Sequence, residues 1–353
     1  MAMNDEILIE RRGALGIVTL NRPQALNTLS LRMYRRFDPA LAEWAADGDV
    51  RAALVRGTGE RAFCAGGDVV AIYEARDEAV AAGGYKADFF REEYQLIRRI
   101  HRFPKPFVAL MDGITMGGGA GVAVNGGFRV ATERTLLAMP EVHIGLFPDV
   151  AATRFLNLCP GRIGLYLGLI GKRIGAADAL YCGFATHFVP HERLDELTKE
   201  LASLDYDADA AIAALLRRFA ADPGGAALPP IRPAIDRCFA GPSVEAIMDA
   251  LAREPDPWAA EALDAMRRAS PLSLKLVFRQ LALGAKDVES ALQLEYRMTQ
   301  HAMEGHDFFE GIRAALVDKD RAPRWQHRAP AEVSEAEIAS YFASIGSREL
   351  TFD

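Results

Sequence analysis

No stretch of this chain reaches 18 consecutive apolar residues, so nothing in it reads as a membrane-spanning helix. Cysteine is scarce. Cys64, Cys159, Cys182 and Cys238 are the only ones in 353 residues, and none forms a C-x-x-C pair. That spacing gives no disulfide framework and no cysteine zinc site. Four unpaired thiols fit a reducing compartment, and the cytoplasm is the expected location. An excess of one charge is lacking too. Against 48 acidic residues stand 41 basic ones, a net charge of −7, which speaks for neither a nucleic acid nor a membrane partner. Seven histidines are present without metal-ligand spacing, and there is no G-x-S-x-G nucleophile elbow. Met1 to Asn4 carries no basic region leading into an apolar one, so no secretory signal is expected there.

Half of the residues are hydrophobic and a quarter are charged, which is ordinary globular usage. At roughly 150 residues per domain, the length suits about two domains or one with an extension. Residues 6–20 alternate around Arg12-Gly13 and predict a hairpin. Thr28 or Ser30 is placed to cap a helix over about 31–46. Strands follow over 50–56, 106–111, 128–131 and 186–189, with a long polar helix over 86–102 and shorter helices near 150–157, 161–169 and 176–182. Strand–helix alternation of this kind implies parallel strands with crossover helices. Beyond residue 190 almost everything reads as helix, broken by the Pro/Gly-rich stretch 222–230. The expected plan is an α/β core over 1–190 and a helical C-terminal region over 191–353.

Two glycine-rich loops each follow a predicted strand and open a helix: Arg61-Ala-Phe-Cys-Ala-Gly-Gly-Asp68 and Gly113-Ile-Thr-Met-Gly-Gly-Gly-Ala-Gly121. Glycine lets backbone approach a ligand closely, and free N–H groups at a helix start attract negative charge. One N–H from each loop on a thioester oxygen makes an oxyanion hole, where a donor is worth about 3–4 kcal/mol in well-studied enzymes. A dinucleotide site is the rival reading. A G-x-G-x-x-G pattern starting at Gly119 fails, however, because position 124 is valine. Cys64, beside the first loop, reads as a packing residue because no basic partner adjoins it.

The two loops, together with Leu20-Asn-Arg-Pro-Gln-Ala-Leu-Asn27, resemble the signature of the crotonase (enoyl-CoA hydratase/isomerase) superfamily. The similarity is closer still to its 3-hydroxyisobutyryl-CoA hydrolase branch. It runs through Phe90-Arg-Glu-Glu-Tyr94, Met139-Pro-Glu141, Ile144-Gly-Leu-Phe-Pro-Asp149 and Ser270-Pro-Leu-Ser-Leu-Lys275, and on to Gly305-His-Asp-Phe-Phe-Glu-Gly311. The resemblance covers nearly the whole chain. It implies a spiral of ββα turns followed by C-terminal helices, with Gly67 and Gly118 holding the thioester oxygen. CoA would run past Ala25, Leu26, Ala65 and Asp68. It also implies an acyl-CoA substrate, no separate cofactor, and a short 3-hydroxyacyl-CoA released by hydrolysis in valine breakdown. It leaves a homo-oligomer open.

The carboxylates narrow the reaction. Hydration of an enoyl-CoA uses two carboxylates around one water. In hydratases they would fall at positions 121 and 141. Here Gly121 offers no acid, while Glu141 is present. Asp149 lies eight residues further on and completes a hydrolase-like pair. Glu141 is the expected nucleophile or general base, with an anhydride intermediate and an activated water both open. Asp149 is expected to orient the 3-hydroxyl and assist proton transfer, and Glu93 to supply a third polar contact. A different crotonase reaction and a non-catalytic acyl-CoA-binding paralogue are the alternatives. One departure touches acyl preference: two glycines usually follow Phe-Pro-Asp-Val in this branch, and here Ala151 and Ala152 stand there.

Overall fold

The computed structural model describes residues 5–79, 84–204 and 208–352. Residues 1–4, on which the signal-peptide reading rests, lie outside them. Two compact units are built from interleaved segments. One comprises Met1–Gly67, Gln95–Leu137 and Arg173–Ala227; the other comprises Asp68–Tyr94, Ala138–Lys172 and Leu228–Asp353. This division does not follow the change of composition near residue 190. Composition tracks secondary structure, whereas packing decides which segments share a core.

The first unit is a sheet assembly. β1 (Ile7–Arg12) and β2 (Leu15–Leu20) form the expected hairpin, paired from Ile7↔Leu20 to Arg12↔Leu15. β3 (Ala52–Gly57), β5 (Phe107–Met111), β7 (Phe128–Ala131) and β9 (His187–Phe188) extend it, all parallel, in the order β1-β2-β3-β5-β7-β9. A smaller sheet has the order β4-β6-β8, from β4 (Ala62–Cys64), β6 (Ile114–Met116) and β8 (Leu136–Ala138). Among the described residues, three strand pairs, β3–β4, β5–β6 and β7–β8, send the first strand to the large sheet and the second to the small one before a helical segment follows, which is the ββα turn; the β1–β2 hairpin keeps both strands in the large sheet. β2 and β5 are buried along their whole length, the mark of strands covered on both faces.

Helix Leu31–Ala46 is capped by Ser30, whose hydroxyl accepts from the Met33 N–H. One face of the large sheet carries Leu15, Ile17, Leu54, Val108, Leu110 and Val130. Against it pack Leu197 and Leu201 of helix Leu194–Ser203 and Ile212, Leu216 and Phe219 of helix Ala208–Phe219. Those helices lie beyond residue 190 and nevertheless complete the sheet's own core.

The second unit is mostly helical. Its longer members are Leu228–Cys238, Val244–Arg253, Pro257–Arg268, Pro271–Leu283 and Val288–Ala302. Ser243, Ser270 and Asp287 cap three of them, Asp287 within a reciprocal capping box with Ser290. Helix Ile163–Ile170 is apolar nearly all round, as a helix enclosed by others must be. Its Tyr166 meets Phe239 and Trp258 edge to face. Among the described residues, no helix is long and apolar enough to cross a membrane.

Candidate active site

The first unit holds the two glycine loops. β4 and β6 are parallel neighbours, with Cys64 opposite Thr115, so the loops that leave their C-terminal ends emerge side by side. A Cβ placed on Gly66 would lie 3.8 Å from the Gly118 nitrogen. Gly118 opens helix Gly118–Val124. Gly119 must be glycine, because a Cβ there would collide with the Cys64 carbonyl oxygen. That close approach explains the small residue Cys64, which is a buried thiol like the other three cysteines. Leu29 bridges Gly67 in parallel, and the Leu29 N–H donates to the Gly66 carbonyl. Ala25 ends a 3-10 turn whose cap, Leu26, accepts from the Ala65 N–H at 3.0 Å. The Asn27 amide fastens this segment by donating to the Thr58 and Ala62 carbonyls. Gly67, Gly118, Ala25, Leu26 and Ala65 therefore belong to one interlocked set of loops.

The second unit holds the acids. Glu93, Glu141 and Asp149 are 3%, 5% and 4% exposed. Three carboxylates this deep are costly unless something stabilises them or keeps a proton on them. Glu93 lies in helix Tyr85–His101, expected as a polar helix, yet its side chain faces inward. Glu141 begins a 3-10 turn, Glu141–Ile144, after Pro140. Burial, and then the charges of Asp149 and Glu93, push the Glu141 carboxyl well above the usual carboxylate range. Its Oε2 atom is buried with no hydrogen-bond partner among the described residues. Such an orphan costs about 1–3 kcal/mol and calls for an explanation. Asp68 sits apart from these acids in role: it caps helix Val69–Glu74, accepting from the Ala71 N–H.

Asp149 is raised to about 6, mainly by burial, while a bond from Tyr94 opposes the rise. The Tyr94 hydroxyl donates to Asp149 Oδ2 at 2.7 Å. Sequence reasoning placed Tyr94 in a family-like block without a role; the orienting donor of Asp149 emerges only from the tertiary contact. The Glu141 turn is braced as well. The Ser270 N–H donates to the Val142 carbonyl, and the Ser270 hydroxyl to Asp307. Gly145 closes the turn at φ +71°, and a Cβ there would collide with the Asp307 carbonyl.

After Asp149 the backbone is strained. Val150 and Ala151 have φ of +54° and +71°. The left-handed region costs a residue with a Cβ roughly 1–2 kcal/mol, and for a β-branched residue it is an outlier. The expected helix therefore starts only at Ala152. Of the two positions of the departure, only Ala151 has this left-handed backbone, a conformation suited to glycine; Ala152 does not. The Ala151 and Thr153 N–H groups donate to Glu295, fully buried on helix Val288–Ala302 and not singled out from the sequence. A signal was there. Val288, Leu292, Glu295 and Thr299 share one face at helical spacing, which sets an acid among core positions.

This chain belongs to the enoyl-CoA hydratase/isomerase family, whose model matches residues 15–342. It is similar to the mitochondrial 3-hydroxyisobutyryl-CoA hydrolase of Rattus norvegicus, at 44% identity over 98% of this chain and 91% of that protein. The Homo sapiens counterpart is 41% identical over 99% and 91%. Among solved structures, a carnitinyl-CoA dehydratase from Mycobacterium thermoresistibile superposes with a TM-score of 0.92 at 41% identity, covering 99% of each chain. An enoyl-CoA hydratase from Rhodobacter sphaeroides 2.4.1 gives 0.88 at 41% identity, over 99% of this chain and 100% of that one. The α/β spiral with C-terminal helices implied by the resemblance is the fold of these neighbours. The cytoplasmic expectation is corrected, since the curated relatives are mitochondrial proteins. Cysteine spacing without a disulfide pattern speaks of redox state, which does not separate the cytoplasm from an organelle matrix.

Proposed function

We propose that this protein hydrolyses a short 3-hydroxyacyl-CoA, with 3-hydroxyisobutyryl-CoA as the preferred substrate, in valine breakdown. The observation that carries the reading is Glu141: buried, held above the normal carboxylate range, with one oxygen awaiting a partner. Such a group is suited to take a proton from water or to attack a thioester carbonyl. The Gly67 and Gly118 N–H groups would carry the developing oxyanion, and CoA would follow Ala25, Leu26, Ala65 and Asp68. Asp149, steadied by Tyr94, would accept a hydrogen bond from the substrate 3-hydroxyl and help a proton reach the departing thiolate. Glu93 would add a polar contact to the acyl group. One thioester and one water yield one acid and one CoA thiol, with no metal or redox cofactor. The resemblance to hydrolases of this branch supports the substrate class and is consistent with a homo-oligomer, which light scattering would read.

The test is thiol release over a panel of acyl-CoA esters, with and without chelator. A buried acceptor left unpaired costs about 1–3 kcal/mol, so isobutyryl-CoA should be cleaved roughly tenfold to a hundredfold less efficiently than its 3-hydroxy counterpart. Equal cleavage of the two would remove Asp149 from hydroxyl recognition. Because two similar solved structures bear the names dehydratase and hydratase, crotonyl-CoA belongs in the panel. Gly121 supplies no second acid to that reaction. Rapid loss of the crotonyl double bond would replace the hydrolase reading.

A further inference from the structure

We propose that Glu295 is a positioning residue for Asp149, clamping the backbone that follows it. The proposal rests on the hydrolase reading above, because Asp149 matters only if it meets substrate. Glu295 uses both carboxyl oxygens. Oε2 accepts from the Ala151 N–H at 2.7 Å, and Oε1 accepts from the Thr153 N–H at 2.8 Å and the Thr153 hydroxyl at 2.7 Å. The Thr153 hydroxyl in turn accepts from Gln280 Nε2 at 2.8 Å, and the same nitrogen donates to the Pro148 carbonyl at 2.7 Å. Asp149 is thus bracketed: Gln280 holds the carbonyl before it, and Glu295 holds the amides after it. Between the brackets lie the two left-handed residues, Val150 and Ala151.

The logic is steric and electrostatic together. Glycine at position 151 would adopt its left-handed backbone unaided, whereas alanine there, following a left-handed valine, needs an external hold. A fully buried acid opposite two backbone amides and a hydroxyl provides it. Burial raises this acid to about 8, and the charge of Asp149 adds to the rise, so the two groups sense one another. Glu295 touches no position assigned to substrate; it acts through the Asp149 backbone.

The geometry makes glutamine a discriminating replacement. Its amide oxygen can serve Thr153, but its NH2 group would face the Ala151 N–H, donor against donor. Glu295→Gln should lower kcat on 3-hydroxyisobutyryl-CoA roughly tenfold to a hundredfold, with KM changed less than about threefold, since displacement of a catalytic group by about an ångström costs that much. Adding Ala151→Gly to Glu295→Gln should restore at least half of the loss on a logarithmic scale, because glycine needs no clamp. If Glu295→Gln fails to fold, Thr153→Val decides alone, since it removes the hydroxyl's bonds to Glu295 and from Gln280 and leaves both amide bonds to Glu295. A loss of kcat of about threefold or more at constant KM is then expected. Unchanged kcat in the variants, or a loss that Ala151→Gly does not relieve, overturns the proposal. Failure of the wild-type protein to release CoA would instead overturn the hydrolase reading, before any variant is compared.

Discussion

Glu141 is the residue whose environment departs furthest from what its sequence position suggests. After a proline, an acid at the start of a turn is ordinarily a solvated helix-end charge. Here it is buried beside two other carboxylates, and its raised proton affinity follows from that burial. Glu141→Gln should therefore lose at least about a thousandfold in kcat while circular dichroism and melting stay close to wild type. A near-normal kcat would dismiss Glu141 from the chemistry. Tyr94 offers a finer test. Its hydroxyl favours the ionised form of Asp149, so Tyr94→Phe should raise the Asp149 pKa further above about 6. The acid limb of kcat/KM should move to higher pH, by about one unit for a charge-assisted bond of that kind. An unmoved limb would mean that Asp149 does not govern it. Glu141 and Asp149 were singled out from the sequence because the short motifs that carry the family resemblance contain them. Tyr94 and Glu295 were not, since each meets its partner across a long stretch of chain.

At the level of elements, strands and most helices followed from local pattern: the hairpin at 6–20, the Ser30-capped helix and the glycine-loop helices all formed where expected. The 3-10 turn at Glu141 is different, because it depends on what packs against it. Gly145 combines positive φ with contact against the Asp307 backbone, which a methyl group cannot share. Gly145→Ala should cost more than about 2 kcal/mol of stability and depress kcat as the Glu141 turn shifts. Gly127 has open space around its Cβ direction, and Gly127→Ala should cost under about 1 kcal/mol. Similar losses in denaturant melts of the two variants would refute the packing argument. The division into units was the least legible feature. Helices over 194–219 complete the sheet core, while acids over 68–94 and 138–172 join the helical unit. No boundary in composition reports contacts of such high sequence separation.

For the molecule as a whole, the formal charge of −7 conceals that several acids are inside. Their effect on stability has a sign. Asp149 and Glu295 are raised to about 6 and about 8, and Glu141 is raised as well, all chiefly by burial. A carboxyl with a raised folded-state pKa binds its proton more tightly in the native protein than in the unfolded chain. Its contribution is complete below the ordinary carboxylate range and is lost as pH climbs through the folded-state value. Glu310 has the opposite sign: the Arg313 guanidinium, 2.8 Å away, holds it low, so its contribution is present near neutrality and lost as pH falls. Stability should accordingly peak on the acid side of neutral, with Tm declining between about pH 7 and 9. Each group still titrating there contributes a slope of at most about 1.4 kcal/mol per pH unit. Glu295→Gln removes one such group. Whatever its effect on Tm at a single pH, the decline from pH 7 to 9 should be shallower in the variant than in the wild type. Equal slopes would mean that Glu295 is ionised throughout that range, and that the amides of Ala151 and Thr153 outweigh burial in setting its charge.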